Sequence, residues 1–332
     1  VAASESDRKV RLGPGGEFDL IRRFLGEGGG LHPAVLLGPG DDAAVLEGGW
    51  VLSTDLTVEG VHYRKGWIGD EEVGWRAAAA ALSDLAAMAA EPVGILVSMA
   101  FPQDVGLDVE AVQKGVRAAA AQVGASVLGG DLSRSPGPLV LDLTVVGRAG
   151  APVSRAGARP GDELWVSGHL GGSAAAVALW RSGEDPPPAL RAAFARPTPR
   201  VQAARALARA GVLRALVDLS DGLAGDAGHL AAAGGVKVVL ERDRIPVAEG
   251  VEAALGPAGA LEAVLRGGED YELCFAAPPG AVAGAVLERE AGVALTRVGR
   301  VEAGSGVWLE EMDGSSAPLL GGGYDHTRGD GA

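Results

Sequence analysis

Asp41 and Asp42 stand immediately before the apolar run Ala43–Leu46, and Asp55 follows a second run, Trp50–Leu52. Both runs are too short for helices and are broken by Gly48-Gly49, so they read as strands. Paired as a hairpin, they would bring Asp42 and Asp55 toward one another at a sheet end. Crowded carboxylates repel and are expensive to bury unless a cation lies among them. Hard oxygen ligands of this kind suit Mg²⁺, which keeps several waters and holds substrate phosphates. The competing reading is a polar hairpin whose Gly-Pro-Gly-Asp turn places Asp where turns favour it.

Three further stretches carry acids in unusual settings. Asp84 sits between Leu82 and Leu85 in an alanine-rich segment, Glu71–Ala90, that reads as a helix buried on several sides. A carboxylate there needs a partner, either a metal or Arg76 two turns earlier. Residues 218–226 read D-L-S-D-G-L-A-G-D, with Asp218 ending the strand Ala215–Asp218 and Ser220 and Asp221 opening a helix. Open α/β sheets place ligands at such junctions, and helix N–H groups there accept phosphate. An N-cap would explain one of these acids but not three. Glu269 and Asp270 follow a helix tail (Leu261–Arg266) and its Gly267-Gly268 cap, at the unfavourable end of the helix dipole, which points to a ligand. Gly129-Gly130-Asp131 closes a short strand, Ser126–Leu128, and its glycines would admit a ligand to the backbone.

The elements that must position these residues fall into two groups. A helix over Glu17–Leu25, the hairpin, the Glu71–Ala90 helix, a strand over Val93–Phe101, a helix over Leu107–Val123 and a strand over Leu139–Gly147 make an α+β domain of residues 1–150. Residues 151–332 read as an α/β domain. Its strands are Glu163–Ser167, Ala215–Asp218, Val236–Leu240 and Tyr271–Ala276, with a helix over Ser173–Arg181 and a proline-rich surface loop at Asp185–Pro188. No internal repeat is evident.

At 332 residues the chain can hold two full cores, and 47% hydrophobic against 22% charged residues excludes a disordered polymer. The net charge of −14 argues against nucleic-acid or anionic-membrane partners. Cys274 is the single cysteine, so intrachain disulfides and thiolate zinc sites are excluded. The opening V-A-A-S-E-S-D-R-K lacks a signal-peptide core, and no run approaches the roughly 20 apolar residues of a membrane span. A cytoplasmic enzyme is expected. The lysines are Lys9, Lys65, Lys114 and Lys237, none of which follows a glycine loop into a helix. Any phosphate must therefore be neutralised by metal and arginine.

The motifs together resemble the thiamine-monophosphate kinase family. The matching stretches are G-P-G-D-D-A-A-V-L (38–46), S-T-D-L-T-V-E-G-V-H-Y (53–63), L-S-D-L-A-A-M-A-A-E-P (82–92) and G-G-D (129–131). They continue with S-R-A-G-A-R-P-G-D (154–162), D-L-S-D-G-L (218–223), G-G-E-D-Y-E-L (267–273) and G-Y-D-H (323–326). The resemblance implies the two-domain fold of the aminoimidazole-ribonucleotide synthetase group, with the N-terminal sheet pairing across a homodimer. It further implies ATP-dependent phosphorylation of thiamine monophosphate to thiamine diphosphate with several Mg²⁺ ions. On the same basis Asp42, Ser53, Thr54, Asp55, Asp84, Asp131, Asp218 and Asp221 would bind metal. Gly130, Asp131, Arg155 and Ser220 would touch ATP, and His62, Glu269 and Tyr324 would hold thiamine monophosphate. Where that family often has an aromatic in the helix before G-G-D, this chain has Lys114 and small residues, which leaves the adenine pocket unassigned. Direct in-line transfer is the expected mechanism, with His62 or His229 as the alternative nucleophile. Another ATP-using member of the group, a metal-dependent phosphohydrolase and a non-catalytic nucleotide-binding dimer remain the competing readings.

Overall fold

The structure is a computed structural model that describes residues 9–11, 16–25, 31–102, 106–282 and 284–319. The first half contributes α1 (Gly16–Leu25), β1 (Val35–Leu37), β2 (Ala44–Leu46), β3 (Trp50–Val58), α2 (Asp70–Ala87), β4 (Glu91–Pro102), α3 (Val109–Gln122), β5 (Ser126–Ser135) and β6 (Val140–Arg148). Its strands form one sheet in the order β1-β2-β3-β6-β4-β5. The pairs are antiparallel except β4–β5, which α3 joins as a parallel crossover. One face of this sheet, including Ile95, Met99, Leu141, Leu143 and Val145, is buried in the core with α2 and α3 residues. The opposite face is open, with Val93 and Leu96 about two-fifths exposed.

The second half contributes β7 (Glu163–Ser167), α4 (Gly172–Ser182), α5 (Pro188–Ala195), α6 (Val201–Arg209), β8 (Ala215–Asp218), α7 (Leu223–Gly234), β9 (Lys237–Glu241), α8 (Val251–Arg266), β10 (Leu273–Ala277), α9 (Gly284–Ala291), β11 (Leu295–Glu302), β12 (Gly306–Glu310) and β13 (Ser316–Pro318). The strand order is β13-β12-β9-β11-β7-β10-β8, parallel at β9–β12 and antiparallel elsewhere. Asp218 therefore reaches the site from the end of an antiparallel edge strand, not from a switch point between parallel strands.

Helix α2 links the halves. Its run Ala77–Ala81 is buried throughout, because alanine both favours helix and lets neighbours approach. Where α2 crosses α3 the backbones nearly touch. A Cβ at Gly74 would lie 1.8 Å from the Val112 carbonyl oxygen, and one at Gly115 would lie 1.9 Å from that of Glu71. The same core takes in Ala175, Leu190, Phe194 and Val251 from helices of the second half. Among the described residues no helix is long and apolar enough to cross a membrane.

Several elements differ from the sequence expectation. β3 extends to Val58, so S-T-D-L-T-V lies inside a strand and not beyond one. β5 runs through Gly129-Gly130-Asp131, and a Cβ at Gly130 would stand 1.8 Å from the Val97 carbonyl. That glycine is required by the neighbouring strand, whatever else approaches it. The proline-rich break is short, since Pro188 already opens α5, where its missing N–H is harmless.

Candidate active site

A cavity of about 480 Å³ opens between the halves. Arg76, Ala80 and Asp84, spaced four residues apart on α2, line one wall of it. The helical rise separates the two ends of that stripe by about 12 Å. Asp55 from β3 and Asp218 from the end of β8 gather at the Asp84 end, and the following turn, with Ser220 and Asp221, runs from there toward Glu269.

There one carboxylate oxygen from each of Asp42, Asp84 and Asp218 lies within 4.8 Å of the other two. β3 alternation turns Ser53 inward, its hydroxyl 2.5 Å from Asp84 Oδ2 and 3.0 Å from the Asp42 carbonyl oxygen. Burial first, and then the charges of Asp218, Asp55 and Asp42, push Asp84 well above the carboxylate range. Burial and the Asp42 charge push Asp218 up to about 8. Asp41, buried next to Asp42, rises to about 6 while accepting hydrogen bonds from the Ser154 hydroxyl at 2.6 Å and the Arg155 N–H at 3.2 Å. Arg155 grips Asp42 at two points and is itself almost enclosed. Asp221, Asp226 and His229 form a neighbouring cluster whose ligand atoms also fall within 4.8 Å. Asp226 Oδ2 accepts the Asp221 N–H at 3.1 Å, which fixes the turn. Burial, helped by the Arg155 charge, lowers His229 to about 4, so its ring is neutral.

The Asp42–Asp84–Asp218 donor set consists of oxygen alone, drawn from three separate elements, and its carboxylates cannot all ionise without a cation. That chemistry fits a hard divalent ion such as Mg²⁺.

At the other end, Arg76 pairs with Glu269 and donates from Nη1 to the Phe194 carbonyl at 2.8 Å. It is therefore not the partner of Asp84. Glu269 and Tyr271 adopt φ values of 61° and 51°, strained for residues bearing a side chain. Hydrogen bonds from Glu269 N to Ser220 O (2.7 Å) and from Tyr271 N to Leu219 O (2.8 Å) hold this segment against the 218–221 turn. The strain also delays β10 to Leu273. Asp270, expected to face a ligand beside Glu269, instead turns inward and accepts the Gly171 N–H at 2.8 Å at the start of α4. The unpaired N–H groups at the start of α4 claim its oxygen. Glu272 is taken by Arg200 and the Ser167 hydroxyl. His62 lines the cavity, and its Nδ1 accepts the Val58 N–H at 3.0 Å, which places the neutral ring's proton on Nε2.

The structure thus brings Asp42, Ser53, Asp55, Asp84, Arg155, Asp218, Ser220, Asp221, His62 and Glu269 around one space. Thr54 is not among them. Alternation turns its hydroxyl to the open face of the sheet, where it donates to Asp142 at 2.6 Å. Gly130 and Asp131 line a separate cavity of about 240 Å³ with Gln113 and Arg117. β5 lies three strand spacings from β3, about 14 Å. Tyr324 lies outside the described residues.

Arg76, Asp41 and Asp226 have no site role assigned from the sequence, and His229 enters there only as an alternative nucleophile. The signal for Asp226 was present, as the third acid of D-L-S-D-G-L-A-G-D. The pairing of Arg76 with Glu269 spans 193 positions and left none.

Two α/β halves meeting at an acid-lined cavity define a class, and family models place the chain in it. The N-terminal domain of AIR synthase related protein matches residues 40–149, and the C-terminal domain matches residues 159–310. Thiamine-monophosphate kinase of Methanopyrus kandleri is 37% identical over 80% of this chain and 84% of its own length. The crystal structure of thiamine-monophosphate kinase from Stenotrophomonas maltophilia K279a superposes with a TM-score of 0.74 at 37% identity, covering 86% of this chain and 92% of that one. AaThiL complexed with AMPPCP and TMP gives a TM-score of 0.78 at 32% identity over 93% and 95% of the two chains. The chain belongs to the thiamine-monophosphate kinase family.

Proposed function

We propose that this chain phosphorylates thiamine monophosphate to thiamine diphosphate at the expense of ATP, in the cytoplasm. The observation that carries the reading is the convergence of Asp42, Asp84 and Asp218, with Asp55 and Asp221 beside them, at one end of a cavity whose other end presents Glu269. A relative bound to AMPPCP and TMP supports both substrates. Asp42, Ser53, Asp55, Asp84, Asp218 and Asp221 would hold Mg²⁺. When bound, the metal supplies the positive charge that lets two phosphates approach and steadies the charge that develops in transfer. Arg155 and Ser220 would meet the phosphates of ATP, the arginine beyond its two-point hold on Asp42. His62 and Glu269 would hold the thiamine end, together with Tyr324.

The acceptor is a phosphate oxygen, already largely ionised at neutral pH because its second pKa is about 6. No strong base is required, and the transfer is direct, without a phosphorylated histidine. Thr54, Asp142 and Asp131 share the open face or edge of the first sheet, which is the proposed homodimer interface. Asp131 would join the metal set only through such an assembly. The cavity of Gln113, Arg117 and Gly130 is the proposed place for adenine.

Incubation with ATP, Mg²⁺ and thiamine monophosphate tests the reading, with thiamine diphosphate the expected product. ATP consumption that is indifferent to thiamine monophosphate would overturn it. Label from ³²P-ATP retained on acid-quenched protein would rule out direct transfer.

A further inference from the structure

We infer that Arg76 is a positioning residue for substrate recognition: it holds Glu269 in place and neutralises it, so that Glu269 meets the thiamine moiety as a hydrogen-bond acceptor and not as a counter-ion. The inference rests on the function proposed above and names what sets its specificity.

Arg76 is 2% exposed, on a helix whose following residues are alanines. A guanidinium so placed must be matched group for group. Its Nη1 donates to the Phe194 carbonyl, at the end of α5, while Nη2 makes no hydrogen bond and is compensated by its ion pair with Glu269. The cation also stacks 3.8 Å from the Phe194 ring centroid and lies 5.9 Å from that of Tyr271. One side chain thus ties α2 and the Glu269–Tyr271 segment, both of which line the cavity, to α5 packed behind them.

Glu269 needs that support. Its backbone sits in the left-handed region, and its carboxylate follows the C-terminus of α8, where the helix dipole opposes negative charge. The ion pair answers both problems. Glu269 keeps a quarter of its side chain exposed, and it lines the cavity. The substrate offers two features to such a group: an aminopyrimidine with N–H donors, and a cationic thiazolium. A carboxylate already paired with buried Arg76 has little net charge left for the cation but retains lone pairs for a donor. Asp84 and Arg76 share one face of α2, so the same rigid helix sets the separation between the acid end and Glu269. A shorter phosphate ester could engage one end or the other.

Calorimetric binding of thiamine monophosphate and steady-state kinetics should be measured for wild type, R76Q, E269Q, R76K and the R76Q/E269Q double variant. R76Q is expected to weaken thiamine monophosphate binding roughly 10- to 100-fold, the range of a lost charge-assisted hydrogen bond. The KM for ATP should stay within about twofold, since Arg155 and the acids are untouched. R76K, which keeps the charge without the fork and guards against a folding failure, should fall between wild type and R76Q. The double variant should bind no worse than E269Q, because Arg76 acts through Glu269. Losses that multiply in the double variant, or a KM for ATP that rises in step with that for thiamine monophosphate, would reduce Arg76 to a structural pin and overturn the inference. A wild type that binds no thiamine monophosphate removes the functional reading and this inference with it. A wild type that binds it while R76Q binds equally well removes this inference alone.

Discussion

Arg155 clasps Asp42 through two hydrogen bonds, from Nε to Oδ2 at 2.9 Å and from Nη2 to Oδ1 at 2.6 Å. Asp42 is also a corner of the triad with Asp84 and Asp218. One carboxylate therefore serves two cations, the built-in guanidinium and the proposed metal. Removing a partner from a buried ion pair costs about 3–5 kcal/mol, because the remaining charge is uncompensated. Arg155→Met should accordingly lower the melting temperature of the metal-free protein. Excess Mg²⁺ should raise it by more in the variant than in the wild type, since the ion no longer competes with an internal cation. Equal Mg²⁺-induced shifts, read by scanning calorimetry, would show that Arg155 and metal do not contend for Asp42.

Asp84→Asn and Asp218→Asn each replace a raised, repelling carboxyl with a neutral group of nearly the same shape. Transfer should be lost in both. The metal-free proteins should be at least as stable as wild type, because like-charge repulsion is relieved. Full turnover at limiting Mg²⁺ in either variant would remove that residue from the metal set. A lower melting temperature for Asp84→Asn would mean its carboxylate has a cationic partner in the chain after all.

Much of this arrangement was legible in the sequence, for identifiable reasons. Asp84 stood out because a charge in an alanine helix has few bland explanations, and the helix is where it was expected. Ala215–Asp218 ended where its apolar run ended. Glycines mislead at residues 129–131, where they suggest a stop although they serve a close strand contact inside β5. Asp270 illustrates a different limit. Next to Glu269 in sequence, it faces the other way, toward an α4 N-terminus about 100 positions earlier, which no local pattern announces. Thr54 is separated from Ser53 and Asp55 only by strand alternation, which became readable once β3 was known to continue through it.

The first sheet buries one face against α2 and α3 and leaves the other with Val93 and Leu96 partly exposed and β5 as an unprotected edge. Open apolar faces beside free edges are rarely left so. Sedimentation at micromolar concentration should give a homodimer. Leu96→Glu, on the open face opposite Thr144, should shift it toward monomer without unfolding the chain. A monomeric wild type would refute the interface, and with it the proposed route by which Asp131 reaches the metal set.

The last prediction concerns pH. Burial raises both Asp218 and Asp270 to about 8 from an ordinary value of 3.8. Between those limits the folded chain holds protons that the unfolded chain releases. Their contribution to stability is therefore fully present below about pH 4 and is lost as pH rises through 8. Each such carboxyl gives a slope of about 1.4 kcal/mol per pH unit while it titrates. Glu72 and Glu302 behave oppositely, held low by Arg191 and by Lys237 with Arg300, but their effect is confined to more acidic solutions. Denaturant unfolding in EDTA should accordingly show stability falling from pH 6.5 to pH 8, above the range in which His229, lowered to about 4, acts in the opposite sense. Excess Mg²⁺ should flatten the part due to Asp218, whose proton the metal displaces, and leave the part due to Asp270. Asp270→Asn retains an acceptor oxygen for the Gly171 N–H but has no proton to lose, so it should remove that carboxyl's share of the slope and leave the share of buried Asp226. A metal-free stability that is level or rising across this range would mean that these two carboxyls are ionised in the fold, each with a counter-charge close at hand.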